Sequence, residues 1–515
     1  MARHVSPTIV MLFLAQIAAA QFAQQGGKLV GTDAVGGAIQ AYSVAISADG
    51  NTAIIGGPSD SSDGGAAWVF VRNGGVWSQQ SGKLVGVGAV GAAYQGFSVA
   101  ISADGNTALI GAPWDNSLTG AAWVFTRSGG VWSQQGGKLV GTGAVGPAYQ
   151  GTSVAISGDG NIAFLGGPYD DNIRGAAWLF TRTAGVWAQQ GGKLVGTGAI
   201  GPAYQGLAVA ISGDGKTAIV GGYGDNSFVG AAWIFARSGG VWSQQGSKLV
   251  GTGAAGYPLQ ASAVAISADG NTALVGGWGD SSRVGATWVF TRTGVTWSQQ
   301  GNKLTGGDVV GAAYQGYSVG ISGDGNTAIV GGPRDNFDSG AAWVFTRSGG
   351  SWSQQGTKLV GADAVGLAKQ GGSVAISADD TSAIIGGPFD DSALGAAWVF
   401  TSSATQLAFK QQPTPTIAQQ PITPPVTVQL QDSDGTPVAE AGVTITLMLS
   451  SGTGTLAGTC SQVTDTLGLA SFNDLSIDLV GSKTLTATNP GRASAISSAF
   501  TISGPAASIV ATGGT

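Results

Sequence analysis

The sequence has very little histidine, glutamate and cysteine, three residue types that many catalytic and metal sites require. Its 515 residues include one histidine (His4), one glutamate (Glu440) and one cysteine (Cys460). A Ser-His-Asp or Cys-His arrangement needs a histidine in the mature protein, and structural zinc needs several histidine or cysteine ligands. A lone cysteine allows no internal disulfide. These shortages exclude such sites, predict no metal or cofactor, and leave stability to a large packed core.

Charged residues are also scarce, at 10% of the chain, and the net charge is −6. Nucleic acids and anionic membranes need a basic surface on their partner, so neither is expected to bind. Glycine is abundant instead, with 90 residues. This composition favours tight turns and closely packed sheets over helices with charged outer faces.

Residues 1–20 have the pattern of a secretory signal peptide. Arg3 supplies a positive start, an apolar run extends from Ile9 to Ile17, and three alanines form a small-residue cleavage site. The run is too short to cross a hydrocarbon layer of about 30 Å. We therefore predict a mature chain that begins at Gln21, without His4, and is secreted or held at the cell surface. The alternative is a disordered start.

One motif, Lys-Leu-(Val/Thr)-Gly, recurs every 55 residues. Its seven copies start at Lys28, Lys83, Lys138, Lys193, Lys248, Lys303 and Lys358. Each repeat contains four short runs of strand-forming residues, and the Asp-Gly turn between the first two is a strong hairpin signal. Four strands per repeat are typical of a β-propeller, whereas 55 residues are too long for one coil of a parallel β-helix. The sequence predicts an all-β fold with a seven-bladed β-propeller over residues 21–403.

The two ends of the repeat array predict how the ring closes. Phe22-Ala-Gln-Gln25 precedes the first motif as Trp77-Ser-Gln-Gln80 precedes the second. The array therefore begins with a fourth strand and ends, near Thr401, after a third. We predict that the N-terminal strand completes the seventh blade and leaves no open sheet edge.

The repeat resembles a known family. Tyr94-Gln-Gly-Phe-Ser-Val-Ala-Ile-Ser102, followed by Leu109-Ile-Gly-Ala-Pro113 and Gly120-Ala-Ala-Trp-Val-Phe125, is similar to the FG-GAP repeat. The resemblance covers residues 22–406. It implies the seven-bladed propeller of integrin α chains and many bacterial surface proteins, and with it extracellular ligand binding or adhesion.

The integrin-type repeat carries a calcium loop between its first two strands, and here that loop departs from the pattern. It is reduced to Ala-Asp-Gly-Asn or Gly-Asp-Gly-Asn, with Lys216 replacing asparagine in one copy. Calcium takes six to eight oxygen ligands, and one aspartate per turn cannot supply them. We interpret these aspartates as turn formers.

The composition changes at Ala404, where a proline-rich stretch leads into short alternating strands. Strands are predicted at 426–430, 443–447, 470–472, 483–487 and 499–502. Residues 404–503 thus predict a β-sandwich that resembles the immunoglobulin-like modules of bacterial surface proteins, and residues 504–515 resemble the start of a further module. Asp432 and Asp434 form a turn or, alternatively, contact a metal. Cys460 is expected to be a small buried residue.

Positions that vary within the constant repeat are the candidates for ligand contact. Each second strand is followed by a loop, Gly-(Gly/Ala)-x-x-Asp, which carries only Ser59 in the first blade. In the other six blades its variable positions hold Trp114, Tyr169, Tyr223, Trp278, Arg334 and Phe389. The acids that follow in these blades are Asp115, Asp170, Asp225, Asp280, Asp335 and Asp390. Propeller symmetry places the loops on one face, where rings beside acceptor oxygens suit a sugar or a peptide. The alternative is structural, with each aspartate capping its loop and the rings covering blade edges.

A glutamine also recurs just before each first strand, and we expect it to bond to neighbouring backbone rather than to a ligand. Together these features predict an extracellular, non-enzymatic binding or adhesion protein whose partner is a protein or a glycan. Three alternatives remain: a lectin, a glycan-active hydrolase that works through the loop aspartates, and a structural spacer. The sequence leaves the ligand and the oligomeric state open.

Overall fold

The computed structural model describes residues 22–402, 404, 406–431, 435, 437–438, 440, 442–465, 467–490 and 492–505. The predicted signal peptide, Asp432, Asp434 and residues 506–515 of the predicted further module lie outside the described residues. The described chain forms two compact units, one over Phe22–Ser402 and one after it. None of its helices has the length and apolar character needed to cross a bilayer.

Within the described residues, the first unit consists of seven antiparallel four-stranded sheets, one per repeat, which we number 1 to 7. The first strands are Ser43–Ile46, Ser98–Ile101, Ser153–Ile156, Ala208–Ile211, Ala263–Ile266, Ser318–Ile321 and Ser373–Ile376. The second strands are Thr52–Gly57, Thr107–Ala112, Ile162–Gly167, Thr217–Gly222, Thr272–Gly277, Thr327–Gly332 and Ser382–Gly387. The third strands are Ala66–Asn73, Ala121–Ser128, Ala176–Thr183, Ala231–Ser238, Ala286–Thr293, Ala341–Ser348 and Ala396–Ser402. The fourth strands are Val76–Gln79, Val131–Gln134, Val186–Gln189, Val241–Gln244, Thr296–Gln299, Ser351–Gln354 and, for sheet 7, Phe22–Gln24.

Hydrogen bonds between the first hairpins of neighbouring sheets run in a closed circle. Ala48 N donates to Ala103 O at 3.0 Å, and Ala103 N donates to Gly158 O at 3.0 Å. The series continues through sheets 4 to 7 and returns when Ala378 N donates to Ala48 O at 3.1 Å. Each first strand also contacts the first strands of both neighbouring sheets. The sheets are therefore arranged around a central axis, as in a propeller, and not in an open stack.

The closing strand is where the repeat register predicted it. Phe22–Gln24 pairs antiparallel with the third strand of sheet 7, with Phe22 opposite Ser402. Phe22 is buried in the core of that sheet, and Leu29 N donates to Ala397 O at 2.7 Å. The predicted pairing of the N-terminal strand with the last of the third strands is confirmed.

The turn between the first two strands is built around its aspartate. In sheet 2, Ser102 Oγ donates to Asp104 Oδ1, which also accepts from Asn106 N at 2.9 Å. Gly105 has φ +67°, a value that glycine adopts at little cost. These contacts confirm the turn-forming role. Although burial by itself raises the pKa of Asp104, the hydrogen bonds from Ser102 and Asn106 hold that pKa below its ordinary value.

Lowering the pH below about 4 is expected to destabilise the first unit. The pKa is lowered in the same way at Asp49, Asp104, Asp159, Asp269 and Asp324. A folded-state pKa below the unfolded one stabilises the fold above the unfolded pKa, and this stability is lost as the pH falls through the folded pKa. Thermal unfolding between pH 7 and pH 3 measures the loss, and Asp104→Asn is destabilising at neutral pH only. An equal effect of Asp104→Asn at both pH values would contradict this account.

The repeated Lys-Leu-(Val/Thr)-Gly motif packs against buried tryptophans. Trp123, in the third strand of sheet 2, is fully buried and shares a core cluster with Ile54 and Val69 of sheet 1. A Cβ atom on Gly86, the last residue of the second motif, would lie 2.3 Å from Trp123 Cδ1. Because a buried ring cannot move aside, only glycine fits there. The leucine of the motif, Leu84, pairs with the backbone of the third strand at Ala67.

Four-residue helical turns follow the second strands. They span Asp60–Asp63, Asp115–Leu118, Asp170–Ile173, Asp225–Phe228, Asp280–Arg283, Asp335–Asp338 and Asp390–Ala393. The last three residues of each turn have positive φ, such as +50°, +55° and +70° at Asn116, Ser117 and Leu118. Such left-handed turns cost about 1–2 kcal/mol per non-glycine residue, so surrounding contacts have to hold them.

The second unit has two larger sheets that share one core. One contains Gln406–Gln411, Val426–Gln431 and Leu469–Phe472, and the other contains Thr416–Ile417, Phe500–Ser503, Gly481–Thr488, Thr444–Ser451 and Ser461–Val463. Ala495–Ile496 pairs with Gly481–Thr488, and Leu456–Ala457 pairs with Ser476–Ile477. Cys460 packs against the core but is only half-buried, and burial raises the pKa of its thiol.

Candidate functional site

The loops after the second strands lie at the same end of the sheets as the connections that enter the next first strands. Gly65, at the end of the sheet 1 loop, bridges to Gln95 just before the first strand of sheet 2. Tyr94 N donates to Asp63 O at 2.9 Å. The same bridge recurs between the other neighbouring sheets. We call this end of the first unit, made of these loops and connections, the loop face.

The loop aspartates are buried beneath this face rather than exposed on it. Asp115 is 0% exposed; its Oδ1 accepts from Val90 N at 2.8 Å and its Oδ2 from Lys138 Nζ at 2.6 Å. All seven repeats form this ion pair, as Asp60–Lys83, Asp115–Lys138, Asp170–Lys193, Asp225–Lys248, Asp280–Lys303, Asp335–Lys358 and Asp390–Lys28. Each carboxylate therefore joins its own left-handed turn to the connections before and after it.

This geometry corrects the expectation that the aspartates face a ligand. The affected residues are Asp115, Asp170, Asp225, Asp280, Asp335 and Asp390, all at most 1% exposed. A buried carboxylate is tolerated only when paired and hydrogen-bonded, and here the lysine of the repeat motif supplies the pair. The recurring glutamines are structural as expected, since Gln95 Nε2 donates to Gly86 O at 2.9 Å and its Oε1 accepts from Gly86 N.

The aromatic rings, by contrast, lie on the loop face and contact one another. Ring centroids are 4.7 Å apart between Tyr94 and Trp114, 6.1 Å between Trp114 and Tyr149, and 4.4 Å between Tyr149 and Tyr169. The chain of rings continues through Tyr204 to Tyr223, with separations of 5.7 and 4.9 Å. We call these six residues the aromatic ladder: Tyr94, Trp114, Tyr149, Tyr169, Tyr204 and Tyr223. The ladder crosses sheets 2 to 4.

Half of the ladder escaped the sequence analysis. Tyr94, Tyr149 and Tyr204 come from the connections, not from the loops that the prediction considered. The sequence did contain a signal for these three tyrosines, because the residue type at their repeat position also varies. It carries Ile39, Tyr94, Tyr149, Tyr204, Leu259, Tyr314 and Lys369, and all seven have positive φ. Large residues seldom adopt positive φ, so the backbone at this position is strained. This strain distinguishes the position from its neighbours, but only the structure shows it.

The remaining predicted residues form a second group on the same face. Trp278 stacks on Tyr314 at 4.8 Å, and the Arg334 guanidinium lies over the same tyrosine at 4.8 Å. Phe389 is 41% exposed and contacts the Lys369 ammonium group at 4.4 Å. The predicted contact residues and their ring neighbours are therefore aromatic over sheets 2 to 4, and aromatic and cationic over sheets 5 to 7.

The ladder reaches the mouth of the central channel. Phe97 lies 5.0 Å from Trp114 and 4.9 Å from Tyr42, which immediately precedes the first strand of sheet 1. Burial raises the pKa of Tyr42, and the nearby Tyr317 raises it further; burial also raises the pKa of Tyr223 to about 12. These hydroxyls stay protonated and can donate hydrogen bonds. Behind the mouth, a cavity of about 280 Å³ is lined only by alanine, valine, isoleucine and glycine.

The described residues contain no group of three histidine, cysteine, aspartate or glutamate side chains that could hold a metal ion. The single glutamate belongs to the second unit, where Glu440 pairs with Arg492 through two contacts of 2.8 Å.

One protein-family model matches part of the chain. The FG-GAP repeat matches residues 297–345, from the fourth strand of sheet 5 to the third strand of sheet 6. No curated protein sequence matches the chain.

The solved structures that are similar to the chain include the following three, each at low sequence identity. A functionally unknown protein from Desulfotomaculum acetoxidans DSM 771 is 14% identical, with a TM-score of 0.41, over 62% of this chain and 85% of that one. The Kuenenia stuttgartiensis hydrazine synthase is 11% identical, with a TM-score of 0.40, over 69% and 94%. The Pseudomonas aeruginosa periplasmic gluconolactonase PpgL is 17% identical, with a TM-score of 0.40, over 62% and 84%. Similarity at this level says nothing about function. The chain thus contains an FG-GAP repeat within a propeller-like array of four-stranded sheets.

Proposed function

We propose that the chain is a secreted or cell-surface binding protein without enzymatic activity. In this proposal a seven-bladed β-propeller, followed by an immunoglobulin-like module, presents its loop face to an extracellular protein or glycan. The observation that carries the proposal is the aromatic ladder, six contacting rings across three neighbouring sheets on one face.

The repeats themselves argue that the ladder is not needed for folding. Sheet 1 has the same strands and the same left-handed turn, yet it carries Ile39, Pro58 and Ser59 at the three repeat positions from which the ladder residues come. Packing between sheets is supplied by the fully buried tryptophans of the third strands. Because sheet 1 forms without aromatic residues at these positions, the rings in sheets 2 to 4 are not required for the fold and can serve another role. Tyrosine and tryptophan offer large, rigid contact areas at low entropic cost, which suits ligand binding.

The hydrolase alternative lacks its proposed groups. Each of the seven aspartates that open the left-handed turns is buried and paired with a lysine. A general acid or base has to reach the proton that it transfers, and these carboxylates do not reach the loop face.

Replacing ladder rings with the residue that sheet 1 carries tests the proposal. We expect Trp114→Ser and Tyr169→Ser, alone and together, to weaken binding to a glycan array or to extracellular matrix proteins by at least about tenfold, because aromatic anchors dominate interface energies. Thermal stability should change little, since Ser59 occupies this position in sheet 1.

Val131→Ser is the matched control. Val131 is 67% exposed and begins the fourth strand of sheet 2, at the end of the sheet opposite the loop face, and Ser351 occupies the same position in sheet 6. Full binding by the ring variants would contradict the proposal. Absence of binding to every probe would favour the structural spacer.

A further inference from the structure

The repeat symmetry is broken most strongly in the loop of sheet 6. Phe337 occupies the third position of the left-handed turn, where the other repeats have Ser62, Ser117, Asn172, Ser227, Ser282 and Ser392. Its side chain is 85% exposed and its φ is +56°. A large apolar residue at positive φ is strained, and exposure gives it no packing energy in return. Strain of this kind is concentrated at functional sites.

A cavity of about 480 Å³ lies beside Phe337, at the junction of sheets 5 and 6. Arg283, from the loop of sheet 5, and Arg334, from the loop of sheet 6, both line it, together with Tyr314 and Asp338. At the position of Arg283 the other repeats have Asp63, Leu118, Ile173, Phe228, Asp338 and Ala393. Two arginines therefore meet at this junction alone among the repeats, in a chain whose net charge is −6.

Both guanidinium groups are available to an anion. Within the described chain, neither Arg283 nor Arg334 has a side-chain hydrogen bond to an acceptor. Arg334 rests over Tyr314, and its Nε lies 3.7 Å from Asp338 Oδ1, beyond hydrogen-bond distance. Arg334 and Asp338 are both partly exposed, at 49% and 34%. The carboxylate of a ligand, in addition to that of Asp338, can therefore approach the two arginines from solvent.

We propose that this cavity, the Arg283–Arg334 pocket, binds the carboxylate-bearing ring of an acidic sugar such as a uronate. The proposal rests on the proposed binding function and assigns it a ligand class. The volume is in the range of small-molecule sites, and arginine binds carboxylates through paired hydrogen bonds. Phe337 offers an exposed apolar surface to the pyranose ring, and Asp338 can accept hydrogen bonds from its hydroxyls.

An acidic peptide fits the pocket less well. Its backbone would bring N–H and C=O groups that need partners, and the pocket lies at loops, away from any strand edge that could pair with it. A sugar brings hydroxyl groups, which act as donors or acceptors as the site requires.

The test measures calorimetric binding of a galacturonate trimer to the full chain in about 0.15 M salt. Its methyl ester is the neutral control, and a peptide rich in aspartate is the other arm. We expect the acid form to bind at least about tenfold more tightly than the ester. Arg283→Leu, Arg334→Ser and Phe337→Ser should each weaken it by about tenfold, with melting temperatures retained because sister repeats carry these residues.

Arg174→Ser is the charge-matched control and should leave binding unchanged, since Arg174 lies in the loop of sheet 3 and Ser339 is its counterpart in sheet 6. Equal binding of acid and ester, or an equal loss in Arg174→Ser, would overturn the pocket. Arginine-dependent binding of the peptide but not of the trimer would overturn the sugar class. If the galacturonate trimer does not bind while another ligand binds in a Trp114-dependent manner, the assignment of the Arg283–Arg334 pocket is wrong and the proposed function stands. If no ligand binds, both are overturned.

Discussion

Replacing Lys138 with methionine is expected to lower the free energy of unfolding by about 3–5 kcal/mol. Its partner, Asp115, has a side chain only 1% exposed, and the ion-pair distance is 2.6 Å. Methionine keeps the apolar stem of the lysine but removes the charge, which leaves a buried carboxylate without compensation. The same carboxylate holds the left-handed turn through Val90 N, so the turn should loosen as well. Denaturant unfolding measures the loss.

A double variant separates the ion pair from general disruption. In Asp115→Asn with Lys138→Met the amide oxygen can still accept from Val90 N, and no buried charge remains. We expect the loss of unfolding free energy in this double variant to be smaller than the sum of the losses in the two single variants. Such a difference would show that the two residues are energetically coupled. Arg174→Gln is the control, because its pair with Asp171 is exposed and 4.0 Å long, and it should change stability by less than about 0.5 kcal/mol. A loss below about 1 kcal/mol in Lys138→Met would contradict the assigned role.

Removing residues 22–31 is expected to destabilise the first unit by about 5 kcal/mol or more. The deletion exposes the third strand of sheet 7 along its edge, removes buried Phe22 and Leu29, and leaves Asp390 without Lys28. An open edge also invites association between chains. A lower melting temperature and a larger particle size in light scattering are the expected readouts.

Adding the missing segment back as a peptide provides the control. A synthetic peptide of residues 21–31 should restore much of the lost stability, whereas the same peptide with Phe22→Ser should restore less. If the shortened chain melts at the same temperature as the intact one, the strand does not close the array.

Most of the strand pattern was predictable because its causes are local. The Asp104-Gly105 turn and the apolar runs beside it predicted the first hairpin, and the structure has it. In the second unit, strands predicted at 426–430 and 470–472 are found at Val426–Gln431 and Leu469–Phe472. The short strand Ser461–Val463 was missed, because three residues carry too little periodicity to be recognised.

The candidate site was only partly predictable. Trp114, Tyr169 and Tyr223 lie on the loop face as expected, but Tyr94, Tyr149 and Tyr204 were overlooked, since they lie on other segments of the chain. Tyr149 and Tyr204 also contact rings of the preceding repeat, at 6.1 Å from Trp114 and 5.7 Å from Tyr169, and no pattern within one repeat indicates such contacts.

The sequence by itself determined the 55-residue repeat, its four strands and the offset that makes the N-terminus the last strand. These features follow from periodicity and register, which the order of residues contains. Only the tertiary structure decided that the loop aspartates are buried, that the rings form a ladder, and that two arginines meet at one junction. Burial and contact depend on which segments the fold brings together, as when Asp115 receives Lys138 from the following connection and Val90 from the preceding one.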